Sequence, residues 1–494
     1  MLEIRKCFNL KNPINSSYLP TFDFQTLDLM QIIYNIDEFF ISVFPELKGK
    51  SNEELVNYLK EYFTNSIDNP IITLDGNTII IEMDLPVIDV QTKEYKQALA
   101  LCNKQMFSEA KPILEKLINQ SPSNSEYYRV LAQIHSEFGQ HDVAIDTLID
   151  ALRWNPNNGW ALMLMGNILA KFKGDIQTAL IYFDQALKAN SDDFISLTNI
   201  GYVLMQEGRN EEAGKYINAS LKINPDYPNA NLTLALLFEK QDELDKAFAQ
   251  TIKSLSIHKK PDQVHQGMLT LAYSVAKRII ETRSVTKTVS NFRHKLEFEC
   301  GKDVDLIEDN SIATPAKIEI AENFDREKHI LLYKSGAPAV EHLIMHELFH
   351  LKLVIDARKE QINQLFTTSS DKKRVFISDY AKYGQKMVQK GYPENTVETF
   401  MKMMFDGLNL QIYNTPIDLF IEQYIHNEFP ELRPWQFISL TNLIETGISA
   451  VTDPKVLEIV PPEVISKTKI LNLVNSLQFQ DMYGIDFIGK HKPS

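Results

Sequence analysis

Residues 341–353 read EHLIMHELFHLKL. His342, His346 and His350 recur at every fourth residue, and Glu347 stands between the last two. On a helix, residues four apart are offset by about 40° and one turn of rise, so two imidazoles at that spacing meet one ion from the same side. Neutral imidazole suits zinc. Zinc brings the pKa of a bound water toward ~7, and a neighbouring carboxylate can take that proton. The hydroxide then attacks a polarised carbonyl, and the carboxylate passes the proton to the leaving amine. The spacing therefore predicts Zn2+ held by His346 and His350, with Glu347 as the catalytic residue.

The setting strengthens the prediction. Leu343, Ile344, Met345, Leu348, Phe349, Leu351 and Leu353 surround His346, Glu347 and His350, so the helix is apolar nearly all round and should be buried. Buried ionisable groups without partners cost several kcal/mol, about 2–7 for even a neutral polar group. A metal ion satisfies all of them together. His342 lies one turn too early to share that ion and is assigned to packing or to a position behind the ligands.

A zinc site needs a third protein ligand. The metzincin pattern would put it at Asp356, after a turn glycine, but Leu353 occupies the turn position. A continuing helix would carry Asp356 ~9 Å along the axis, out of reach. The gluzincin pattern instead takes a glutamate from a later helix, and residues 414–437 offer one. There Thr415, Pro416 and Asp418 read as a helix start, which gives Asp418 a capping role. Glu422 has no such role among Ile417, Leu419, Phe420, Ile421, Tyr424 and Ile425, so it is the expected third metal ligand. Glu360 and Glu398 are the fallbacks. Gluzincins place an aspartate after the ligand glutamate to orient a histidine, whereas here the aspartate comes four residues before it. His426, Tyr424 and Arg433 are the nearby donors available to a developing oxyanion.

These residues need a scaffold. AKIEIAENF (316–324) and KHILLYK (328–334) read as strands just upstream of the histidine helix. HQGMLTLAYSVAKRIIETR (265–283) reads as a long amphipathic helix. At the other end, residues 28–44 have helical apolar spacing. Residues 51–63 open with the capping pair Ser51 and Glu54, and 70–84 form a hairpin around Asp75-Gly76. The chain is too long for one core, and the expected domains are 1–90, 91–260 and 261–494.

Alanine recurs in the middle at Ala110, Ala144, Ala179, Ala213 and Ala247, at spacings of 34, 35, 34 and 34. A larger residue follows four later at Leu114, Leu148, Phe183 and Ile217, and the units end near Pro122, Pro156, Ser191 and Pro225. This period resembles the tetratricopeptide repeat over roughly 95–260. The resemblance implies a stacked helical solenoid whose groove takes a protein or peptide partner. The region around HELFH resembles a zincin-type metallopeptidase of the gluzincin kind. The expected fold is thus mostly α: a small α+β N-terminal module, a solenoid, and a C-terminal α+β zincin-like domain.

A net charge of -14 argues against nucleic acid as a partner, because no basic stripe is available to neutralise phosphates. No run approaches the length of a membrane span. Cys7, Cys102 and Cys300 are too few and too far apart for a disulfide framework, and the N-terminus lacks an apolar leader, so a reducing cytoplasm is expected. The expected function is a zinc-dependent hydrolase cleaving peptides, with the repeats recruiting substrate or partner. The alternative from another class is a non-catalytic scaffold whose zincin-like domain binds or senses a partner, or a latent protease whose cleft is plugged by the N-terminal module or the tail. Composition and spacing leave the oligomeric state open.

Overall fold

A computed structural model describes residues 29–64, 70–84, 93–363 and 368–491. By packing, the chain divides into two compact units between Leu237 and Phe238.

The first unit opens with β1 (Leu29–Asn35), α1 (Glu38–Val43), α2 (Asn52–Phe63), β2 (Ile71–Asp75) and β3 (Thr78–Asp84). The sheet order is β1-β3-β2, antiparallel throughout. The β2–β3 hairpin turns at Gly76, whose φ of 58° suits glycine. Ser51 and Glu54 cap α2 reciprocally, as their spacing predicts. The helix expected over 28–44 is replaced by β1 and the short α1. Ile32 and Tyr34 point inward while Ile33 is half exposed, an alternation of period two that pairs with β3. Asp37 then caps α1 by accepting from the Phe40 amide.

Helical hairpins come next: α3 (Lys93–Asn103), α4 (Phe107–Gln120), α5 (Ser125–Glu137), α6 (His141–Trp154), α7 (Gly159–Ile168), α8 (Ile176–Ala189), α9 (Phe194–Gln206), α10 (Asn210–Ile223) and α11 (Pro228–Lys240). The recurring alanines are all fully buried. Small residues let paired helices approach. A methyl on Gly166 would lie 2.6 Å from the Phe183 ring, and one on Gly201 would lie 2.5 Å from Ile217. The N-terminal module sits on the second helices of the hairpins. The Tyr34 hydroxyl donates to the carbonyls of Leu152 and Arg153 at 2.7 and 2.9 Å. Those carbonyls belong to the last turn of α6, where no intrahelical donor remains. Arg153 bonds the Val43 carbonyl and Glu46, and its guanidinium lies over the Phe44 and Tyr62 rings.

The second unit contains α12 (Leu244–Ile257), α13 (Gln263–Thr282), α14 (Thr286–Cys300), β4 (Val304–Glu308), β5 (Ala316–Glu319), β6 (His329–Tyr333) and α15 (Val340–Lys359). It continues through α16 (Ser370–Asp379), α17 (Ala381–Gln389), α18 (Glu394–Glu428), α19 (Arg433–Thr452), α20 (Pro454–Ile459) and α21 (Pro462–Tyr483). The 34-residue period runs on to Ala247, but α12 packs with later helices of this second unit. Phe248 of α12 and Tyr273 of α13 both meet the Phe437 ring of α19. Gly484, at φ 73°, closes α21 with no room for a side chain against the backbone of Ser256. Period and packing thus divide the chain at different places.

The sheet order here is β4-β6-β5, with β4 parallel to β6 and β5 antiparallel at an edge. The separate helix expected to start at Thr415 is not formed. α18 runs unbroken through Pro416 for 35 residues. Pro416 costs one backbone hydrogen bond, but burial of Met401, Phe405 and Leu408 on one side of it and Ile421 and Ile425 on the other holds both halves in line.

Candidate metal centre

α15 carries the histidines and α18 crosses it carrying two acids four residues apart. Each pair, spaced by one turn, projects from one face of its helix. The structure therefore brings His346 and His350 against Asp418 and Glu422. His346 Nε2 lies 3.2 Å from His350 Nε2, and Asp418 Oδ1 lies 3.4 Å from the first and 3.2 Å from the second. These three form the one group among the described residues with metal-ligating geometry.

Glu422 lies elsewhere than expected. Its Oε1 takes the other ring nitrogen of His346, Nδ1, at 2.7 Å, and its Oε2 takes His342 Nε2 at 2.9 Å. It is thus behind the imidazoles and not at the converging atoms. Asp418 stands where Glu422 was expected, for a simple reason: with α18 continuous, Asp418 is in mid-helix and caps nothing. Glu360 and Glu398 are exposed, the latter bonded to Lys402, and Asp356 pairs with Lys352.

The electrostatics call for positive charge among the carboxylates. Asp418 Oδ1 is buried and accepts no hydrogen bond although two imidazole nitrogens face it. Burial opposes charge on His346, yet the close approach of Asp418, the hydrogen bond to Glu422 and the charges of both hold its pKa well above the usual imidazole range. Burial likewise works against ionised Asp418, but His346 and His350 hold its carboxyl below the usual range. Glu422 is fully buried, and His342 and His346 keep it ionised. Two carboxylates against three imidazoles need a shared positive charge, from a proton or from a metal.

The donor set fits zinc. Ligands ~2.0–2.1 Å from a tetrahedral zinc lie about 3.3–3.4 Å from each other. The three atoms here are 3.2 to 3.4 Å apart. Two imidazoles with one carboxylate is the set found in catalytic sites that keep a fourth position open.

Glu347 follows His346 on α15, and its Oε2 accepts the Ile318 amide of β5 at 2.9 Å. The edge strand thus orients the carboxylate. Of the expected oxyanion donors, His426 Nδ1 is 3.1 Å from Gln436 Oε1, Arg433 donates to the His426 carbonyl, and Tyr424 is exposed beside Phe349. Sequence reasoning missed Gln436 and Tyr483, which complete the network around Glu422: Gln436 donates to Glu422, and the Tyr483 hydroxyl lies 2.7 Å from Gln436 Oε1. The four-residue spacing of Asp418 and Glu422, matching that of the histidines, was the available signal for Asp418.

No helix among the described residues is long and apolar enough to cross a membrane. No curated protein matches the chain significantly. Among solved structures, the chain is similar to TTC0263, a thermophilic tetratricopeptide-repeat protein of Thermus thermophilus. That match has 19% identity and a TM-score of 0.33, over 36% of this chain and 96% of the other. It is also similar to PilW, a widely conserved type IV pilus biogenesis factor, at 20% identity over 43% and 96%, with a TM-score of 0.37. A third match is YrrB, a repeat protein with an unusual peptide-binding site, at 22% identity over 36% and 89%, with a TM-score of 0.29. Tetratricopeptide-repeat models match residues 94–124, 125–158 and 168–228. The middle of this chain is therefore built of tetratricopeptide repeats.

Proposed function

We propose that the C-terminal unit is a zinc-dependent hydrolase, with peptides as its substrates, and that the repeats recruit the substrate or a protein partner. The observation that carries this reading is the triangle of His346 Nε2, His350 Nε2 and Asp418 Oδ1, with sides of 3.2 to 3.4 Å. Those three residues would hold the zinc. When bound, zinc supplies Lewis acidity, acidifying water and polarising a carbonyl oxygen. Glu347 is the proton acceptor and returns the proton to the leaving amine. The Ile318 amide holds Glu347 Oε2 so that the carboxylate needs no reorganisation at the moment of transfer. Glu422 holds His346 by Nδ1 and leaves Nε2 facing the cluster.

The peptide substrate rests on the resemblance to gluzincins. In their pattern a ligand acid precedes an orienting acid by four residues. Asp418 and Glu422 keep that order with the two acid types exchanged. Repeats of this kind also support a protein-interaction role without turnover, which is the second reading.

The test is metal analysis followed by digestion of a peptide pool. Wild type should hold one zinc and lose it in His346→Ala. Glu347→Gln should keep the zinc and slow cleavage about 10²–10⁴-fold, the usual worth of a general base. Identical product profiles from wild type and Glu347→Gln would end the hydrolase reading and leave the interaction role.

A further inference from the structure

Gln436 is fully buried in the first turn of α19. Its Nε2 donates to the Glu422 carbonyl at 2.8 Å and to Glu422 Oε2 at 2.7 Å. Its Oε1 receives the Tyr483 hydroxyl at 2.7 Å and faces His426 Nδ1 at 3.1 Å. The Tyr483 oxygen also lies 3.2 Å from the Arg433 carbonyl, the longer of its two contacts.

A carboxamide has one donor end and one acceptor end. With the Tyr483 hydroxyl supplying a hydrogen to the oxygen, and His426 Nδ1 able to supply a second in its Nδ1–H form, the amide end is committed to Glu422. Turned over, the amide would press its own oxygen against a carboxylate oxygen in a buried site, where an unsatisfied polar group is most costly. The amide shares Oε2 with His342 Nε2. Two donors therefore anchor one oxygen of Glu422, and the other is presented to His346 Nδ1.

We propose that Gln436 is a positioning residue for the metal centre, locked in one sense by Tyr483 at the end of α21, so that the C-terminal helix sets the zinc affinity. This rests on the zinc reading above. It places control two hydrogen bonds behind the ligand, on residues that do not approach the converging atoms.

The test is zinc affinity of the full chain, measured by competition with a chelator and checked by the visible absorption of the cobalt(II)-substituted protein. Gln436→Met keeps the volume and removes both amide functions. It should weaken zinc about 10–100-fold, the usual cost of losing a group that orients a ligand. Tyr483→Phe removes only the hydroxyl and should act in the same direction, with a shifted cobalt spectrum. Thr441→Val alters a buried hydroxyl on the same helix that donates to the Phe437 carbonyl and takes no part in the Glu422 network, and should leave zinc affinity unchanged. If Gln436→Met does not fold, Tyr483→Phe decides alone. Wild-type affinity in Gln436→Met and Tyr483→Phe, with loss in His346→Ala, would overturn the positioning role and leave the zinc site standing. A wild-type chain that takes up no zinc would overturn both.

Discussion

Glu422 Oε1 lies 2.7 Å from His346 Nδ1, on the ring nitrogen opposite the one that approaches His350. An acid on Nδ1 fixes the tautomer, since Nδ1 then carries the hydrogen and Nε2 carries the lone pair. The two acids of α18 thus divide the work, Asp418 at the converging atoms and Glu422 behind them.

That division predicts a ranking. Asp418→Ala should lose zinc nearly as completely as His346→Ala, because each removes one of the three proposed ligands. Glu422→Gln should retain zinc at about 10–100-fold lower affinity. Chelator competition on purified variants measures the order. Tighter zinc binding by Asp418→Ala than by Glu422→Gln would reverse the assignment.

Zinc uptake should release a proton. Burial opposes charge on His346, but Asp418 and Glu422 hold its pKa above the usual imidazole range in the metal-free fold, and a metal must displace any hydrogen on Nε2. Calorimetric titrations in buffers of different ionisation enthalpy read the number directly. Near one proton per zinc is expected, and none would contradict the shared-charge description of the site.

The metal-free chain should show a window of stability in pH. A raised imidazole stabilises the fold fully below its ordinary value of ~6.5, and that share is lost as pH climbs through the raised value. Asp418 and Glu422 are held low, so their share is present above ~4–4.5 and is lost on acidification. Thermal melts in a chelator should therefore peak between these limits. Added zinc should remove the alkaline decline, because the metal replaces the proton.

In the repeats, Gly166→Ala should destabilise by about 1–3 kcal/mol although alanine is the better helix former. The added methyl would meet the Phe183 ring at 2.6 Å, inside contact distance. Denaturant titration against Gly159→Ala, where the new methyl meets nothing, isolates the effect of packing from that of propensity.

Tyr34→Phe should cost about 1–3 kcal/mol, because it strips the donor from two carbonyls at the end of α6. Chemical denaturation of the full chain, followed by far-ultraviolet circular dichroism, should show the loss as a lower midpoint. An unchanged midpoint would mean that the N-terminal module adds nothing to the repeats through this contact.

The histidine helix, the hairpin at Gly76 and the alanine period were legible as local patterns. Each is set by residues within a turn or two, or by a repeat that carries the same packing rule from unit to unit. Ala144 is fully buried, as are its counterparts Ala110, Ala179 and Ala213, and that rule is written once per repeat. β1 was not legible, because Ile32-Ile33-Tyr34 is too short to separate period two from period 3.6 until β3 pairs with it. Nor was the acid that meets the two Nε2 atoms. Thr415, Pro416 and Asp418 make a good helix start when nothing precedes them. Burial of Met401, Phe405 and Leu408 carries α18 straight through that start. Which acid faces Nε2 and which faces Nδ1 depends on how two helices cross, and no spacing along one strand of sequence encodes a distance between atoms 68 to 76 residues apart. Sequence alone supplied a pair of imidazoles, a carboxylate beside them and the expectation of a further acid; packing chose that acid.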